Sequence, residues 1–190
     1  AASSTSNLFR SEKRQVQLIL YNSVTNLRLE NEENPLDSHF DATFLRWSSN
    51  SGETAWVVYI YQNSALLSTN LVTSCQLELT PQLLANPGNY KFVVVAYGNN
   101  STIFNSIIME FNAIKLSAAS LALGNLNGIV NWGMSVSDEN FITNYRLLLP
   151  GNTKLTFNKS IHTYGMEPYS GMFTIQVRAV GDTSKNIISS

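Results

Sequence analysis

Two carboxylates flank a histidine at Asp37, His39 and Asp41, a set that could offer one imidazole and two oxygens to a divalent cation. Side chains two apart in a loop are common, however, and no fourth ligand accompanies them. The same stretch carries the densest charge in the chain, with Glu30, Glu32 and Glu33 just upstream. A calcium loop needs oxygen ligands at a spacing these residues do not keep, so the run reads as a solvated loop between strands. The other histidine, His162, stands far along the chain and is expected to point to solvent. Cys75 is the single cysteine, which excludes an intrachain disulfide. Set among Val72, Leu77 and Leu79, it reads as a small apolar core residue instead of a reactive thiol. No nucleophile elbow and no phosphate-binding glycine loop occur, and nothing selects a carboxylate pair for glycoside hydrolysis. The sequence therefore assigns no catalytic, metal or cofactor-binding residue, expects no cofactor, and reads as a non-enzyme.

Asn99, Asn100 and Asn158 each open an Asn-x-Ser/Thr triplet. Random placement of 22 Asn against 37 Ser and Thr in 190 residues gives roughly 4 such triplets, so three are no enrichment. Asn100 and Asn158 are the candidate acceptors, Asn100 the better of the two because the repeat described next places it in an exposed hairpin. Charged residues are only 13% of the chain and the net charge is −1. Without a basic stripe to neutralise phosphates, nucleic acid is not an expected partner. No apolar run of 18 residues is present, hence no membrane span is expected. A start at Ala1 in place of Met suggests a removed leader or an excised fragment. Residues 1–15 are expected to be a disordered or extended lead-in.

The elements that must position all these residues announce themselves by repetition. Residues 88–101 read GNYKFVVVAYGNNS and residues 171–184 read GMFTIQVRAVGDTS. They align without a gap, placing Gly88 on Gly171, Tyr90 on Phe173, Phe92 on Ile175, Val94 on Val177 and Ala96 on Ala179. The matched apolar positions fall on alternate residues, the period of a strand with one face inward. Upstream, Phe44-Leu45-Arg46-Trp47 and Ile129-Val130-Asn131-Trp132 each end an alternating strand in Trp, and a further strand follows, Trp56 to Tyr61 or Ile142 to Leu149. Turn signals such as Asn86-Pro87-Gly88-Asn89 and Pro150-Gly151-Asn152 separate the runs, and no convincing amphipathic helix appears, Leu116 to Leu126 included. Short strands at this spacing, repeated twice, predict an all-β chain of two consecutive sandwiches.

These landmarks resemble fibronectin type III domains. In that family a core Trp on an early strand is followed by a Tyr on the next, then by a Leu-x-Pro-x-Thr-x-Tyr corner that continues as Tyr-x-x-x-Val-x-Ala. Trp47 and Trp132, then Tyr59 and Tyr145, occupy the first two places. Leu84 and Tyr90 keep the corner spacing with Pro87 one place late, whereas Met166 and Pro168 are well placed and Phe173 is one residue late. The resemblance implies two immunoglobulin-like modules, 16–112 and 113–190, with Trp47, Tyr59, Tyr90, Trp132, Tyr145 and Phe173 in their cores. Only Tyr90 can supply the corner hydroxyl, which bonds to upstream backbone.

The resemblance also implies an extracellular or cell-surface setting and a partner that is another protein, the chain acting as adhesion segment, receptor fragment or spacer. The junction Phe111 to Lys115 lacks Gly and Pro, so a short, rigid connection continuing from the last strand of the first module is expected. A second reading is a carbohydrate-binding sandwich. If Tyr59 is core, Trp56 on the opposite face is the better candidate to meet a glycan. A third is a structural subunit assembling through strand edges, for which Val57 to Tyr61 and Phe92 to Tyr97 are the β-prone stretches.

Overall fold

The computed structural model describes residues 19–21, 23–32, 42–49, 53–97, 103–104, 106, 108–124, 128–167 and 171–190. The lead-in 1–15 and the residues His39, Asp37, Asp41, Glu33, Asn99, Asn100 and Pro168 lie outside them. The first half runs β1 (Ile19–Leu20), β2 (Thr25–Glu32), β3 (Ala42–Ser48), β4 (Trp56–Gln62), β5 (Ala65–Val72), β6 (Gln76–Glu78), β7 (Gly88–Ala96), β8 (Ile103–Phe104) and β9 (Met109–Lys115). The second runs β10 (Ser120–Leu123), β11 (Ile129–Gly133), α1 (Val136–Glu139), β12 (Ile142–Leu149), β13 (Thr153–Asn158), β14 (Thr163–Gly165), β15 (Gln176–Gly181) and β16 (Ile187–Ile188).

The halves repeat one topology, except that β9 adds a strand beside β7 for which the described residues of the second half show no counterpart beside β15. In the first, β2-β3-β6 form one sheet and β5-β4-β7-β9 run side by side in another. In the second, β10-β11-β14 and β13-β12-β15 take the same orders. The parallel pairs match as well: β1 lies along β8, and the end of β9 lies along β16. Each half thus folds as an open antiparallel sandwich with a short parallel pair at one margin, and the chain is all-β, two sandwiches in tandem. The expected strand at 142–149 matches β12, while the described part of the Leu116 to Leu126 stretch, 116–124, supplies strand β10 and no helix.

Period-two burial explains why these segments are strands. On β3, Thr43, Leu45 and Trp47 are buried and their neighbours are not. Facing them, β4 turns Trp56, Val58 and Ile60 inward and β7 turns Tyr90, Phe92, Val94 and Ala96 inward. Trp47 and Trp56 meet edge-to-face with ring centres 6.2 Å apart. In the second core Trp132 meets Tyr145 in the same way at 6.4 Å, with Val130, Leu147, Leu149 and Ala179 around them. The single turn α1 interrupts the β11–β12 connection because Ser135 caps it, its hydroxyl accepting from Asp138 N at 3.2 Å.

No linker separates the two cores. Along its whole length β9 pairs with β7, from Met109 opposite Val94 to Lys115 opposite Gly88. Its last two residues, Ile114 and Lys115, also pair with Ile187 and Ile188 of β16. The alternation of β16 then sends Ile187 into the second core and Ile188 into the first. A polar latch reinforces the join. Arg178 donates to Thr43 Oγ1 at 3.3 Å, that hydroxyl donates to Asn31 Oδ1 at 2.8 Å, and Asn31 Nδ2 donates to the Gly181 carbonyl at 3.4 Å. Lys115 Nζ reaches the Leu84 carbonyl. The continuation expected from Phe111 to Lys115 is therefore a strand that serves both modules.

Candidate interaction surface

Among the described residues, the acids, the cysteine and the histidine singled out in the sequence are engaged in structure. Glu30 and Glu32 both face the Arg46 guanidinium across the β2–β3 ladder, and Arg28 Nε sits 2.6 Å from Glu30. The Arg28 hydrogen bond holds the Glu30 carboxyl below its ordinary range, opposed by burial and helped by Arg46. These two acids, taken with the 33–41 loop in the sequence, are thus bound to arginines. Cys75 is half-buried; burial first, and then the Glu53 charge, push its thiol up, which disfavours the nucleophilic thiolate.

His162, expected in solvent, instead caps the second core. Its Nδ1 lies 3.1 Å from the Trp132 carbonyl and its Nε2 lies 3.6 Å from Glu139 Oε1. The same Glu139 oxygen accepts from the Tyr145 hydroxyl at 3.0 Å, pinning the end of α1 to β12. Burial, then that hydrogen bond and the Glu139 charge, push the Tyr145 hydroxyl well above its usual range. A phenol so held stays protonated and keeps donating to Glu139. The cluster is an anchor.

Tyr90 makes the corner bond that its spacing predicts, donating to the Asn86 carbonyl at 2.7 Å. Gly88, at φ 125°, supplies the backbone conformation from which β7 departs. Trp47, Tyr90, Trp132 and Tyr145 are each 4% exposed or less, whereas Phe173 is 38% exposed. Phe173 precedes β15, which starts only at Gln176, so no strand turns it inward. Asn158 ends β13 exposed, its Oδ1 accepting from Ser160 N at 3.1 Å and Ser160 Oγ at 3.0 Å.

The expected roles of Trp56 and Tyr59 are exchanged. Trp56 is 4% exposed against Trp47, while Tyr59 is half-buried on the outer face. The segment Trp56 to Tyr61 is apolar throughout, so its own pattern does not choose a face. Pairing with β7 chooses it, because Trp56 lies opposite Ala96 and Ile60 opposite Phe92 on the inward side. The two β-prone stretches that an edge-assembling subunit would use are interior: β4 lies between β5 and β7, and β7 between β4 and β9.

Among the described residues one edge of this sheet is β5, a strand that sequence reasoning passed over. Asn63 and Ser64, both at positive φ, turn the chain from β4 into it. Its eight residues, ALLSTNLV, contain no charge and no proline, the devices that usually blunt an edge. Register places Leu71 beside Val57, Thr69 beside Tyr59, and Leu66 beside Tyr61, all on the outer face. Leu71 is 64% exposed, Leu66 53%, and Leu67, the extra residue of a bulge, 48%. Behind them Val57, Val93 and Val95 are nearly closed off from water. Exposed leucines flanking Thr69 on an uncharged edge form the apolar patch of this sheet's outer face.

No family model matches the chain, and no curated protein matches it. Solved structures do. The chain is similar to the FN1–FN3 domains of chicken CNTN1 at 12% identity, covering 91% of this chain and 66% of that one, with a TM-score of 0.37. It is also similar to the chicken interferon gamma receptor alpha chain at 15% identity, covering 87% of this chain and 92% of that one, with a TM-score of 0.33.

Proposed function

We propose that the chain is a non-catalytic protein-interaction module of the cell surface or extracellular space, made of two sandwiches at 16–112 and 113–190. It presents one sheet face of the first sandwich to another protein. The exposed leucines of β5 carry this reading. Three large apolar side chains, two of them about half exposed and one more so, stand on an uncharged edge beside Tyr59 and Tyr61. Covering the exposed half or so of each such side chain contributes roughly 1–2 kcal/mol, and the three together are enough to nucleate an interface core. Because no described strand pairs with the outer side of this edge, a partner strand can add to it as well. The shared strand β9 supports the spacer role, since it fixes how the display face stands relative to the second module.

Cell-surface binding of the fluorescent full chain, with light scattering to report self-association, tests this reading. Leu71→Lys and Leu66→Lys should each abolish binding with little effect on folding, as both side chains are exposed. Equal binding by both variants and the wild type would refute the assigned face. X-ray scattering showing two freely tumbling modules would refute the rigid spacer.

A further inference from the structure

At the far end of the same sheet from Leu71, a cleft of about 610 Å³ opens where the first module meets the β15–β16 turn. We infer that this cleft binds a neutral oligosaccharide. Its volume falls within the range of small-molecule sites, and a junction between modules is where such sites concentrate.

The walls come from four places in the chain. Register sets Tyr61, Lys91 and Asn112 side by side across β4, β7 and β9 on the outer face. Asn89, two residues before Lys91, lies on the same face opposite Ile114. The β4–β5 turn adds Asn63 and Ser64, and the module-two turn adds Lys185 and Asn186. Backbone holds the last wall in place: Ile114 N donates to the Asn186 carbonyl at 3.0 Å. Asp182 shapes that turn, accepting from Ser184 N at 3.2 Å and Ser184 Oγ at 2.6 Å.

The chemistry of the lining selects the ligand class. Four carboxamides, each with one acceptor and one two-hydrogen donor, converge with a hydroxyl on one concavity. Such groups match the paired donor and acceptor character of sugar hydroxyls. The Tyr61 ring, half-buried, supplies an apolar flank with Ile114. Lys91 Nζ lies 5.1 Å from that ring centre and 3.1 Å from Glu110, and Lys185 Nζ lies 3.1 Å from Asp182. Each ammonium thus has its own carboxylate, and the cleft has little net charge to attract an anion. A neutral, hydroxyl-rich ligand suits that balance.

The test is a printed array of neutral chito-, cello-, manno- and galacto-oligosaccharides, with heparin tetrasaccharide as the anionic arm, probed with the full chain. A neutral glycan should bind, and titration of that glycan should show Asn89→Ala with Asn112→Ala weakening affinity by about tenfold or more, as loss of two hydrogen bonds implies. Leu71→Lys should leave it unchanged, which separates this site from the protein-contact face. Both asparagines are exposed on strands, so a retained melting temperature confirms a folded variant. Absence of any neutral binder, binding indifferent to the asparagine pair, or salt-sensitive binding confined to heparin tetrasaccharide would each overturn the inference.

Discussion

Replacing Tyr90 by Phe removes one atom from a site whose geometry defines what should follow. The ring stays in place, 2% exposed and stacked on Phe92 with centres 6.3 Å apart, so packing is conserved. What is lost is the 2.7 Å bond to the Asn86 carbonyl. A net hydrogen bond of this kind contributes about 0.5–1.5 kcal/mol. Asn86 is exposed, so water can replace the hydroxyl at its carbonyl, which keeps the expected cost near 1 kcal/mol. Calorimetry converts that value into two distinguishable outcomes. If the first module unfolds alone, its melting temperature should fall by about 4–8 °C; if the shared strand makes the whole chain one unit, the single transition should fall by about 2–4 °C. An unchanged melting curve would refute the corner as a stabilising device in this fold.

Gly181 is tied to the join by space, since a Cβ there would meet the Ile187 carbonyl oxygen at 2.6 Å. Gly181→Ala should displace β16 and cost about 1–3 kcal/mol in urea denaturation; neutrality would show that β16 moves freely. Alkali should weaken the second core. The Tyr145 hydroxyl has a folded pKa raised by burial above its ordinary 10.0, so the unfolded chain releases that proton first and stability falls as pH rises past about 10. Tyr145→Phe should flatten that decline in melting temperature, and an equally steep fall in the variant would assign it elsewhere.

Much of this architecture was legible in the residues. The alternation on β3 and β7 and the recurrence of Trp47 at Trp132 reflect cores filled at equivalent places, and strand periodicity makes such places visible. Two kinds of information were not. Face assignment fails where both faces are apolar, as from Trp56 to Tyr61, because only the register against β7 decides which side is inward. Phe173 shows a related failure: its alignment with Tyr90 is real in sequence, but β15 begins three residues later and the ring never enters the sheet. The β5 leucines carried a usable signal in their lack of charge. The cleft did not, for Asn89, Asn112 and Asn186 become neighbours only through the pairing of β7, β9 and β16.

The two short parallel pairs bear on how the chain answers a pull. β1 lies along β8, and β9 along β16, with each pair running in one direction. Tension on the chain before β1 and after β8, or before β9 and after β16, therefore drags paired strands past one another lengthwise. Their hydrogen bonds must rupture together, since nothing peels them open one at a time. With β9 paired to β7 on one side and to β16 on the other, there is also no slack connector to extend first. Load on β9 is therefore shared between β7 and β16 through backbone pairing.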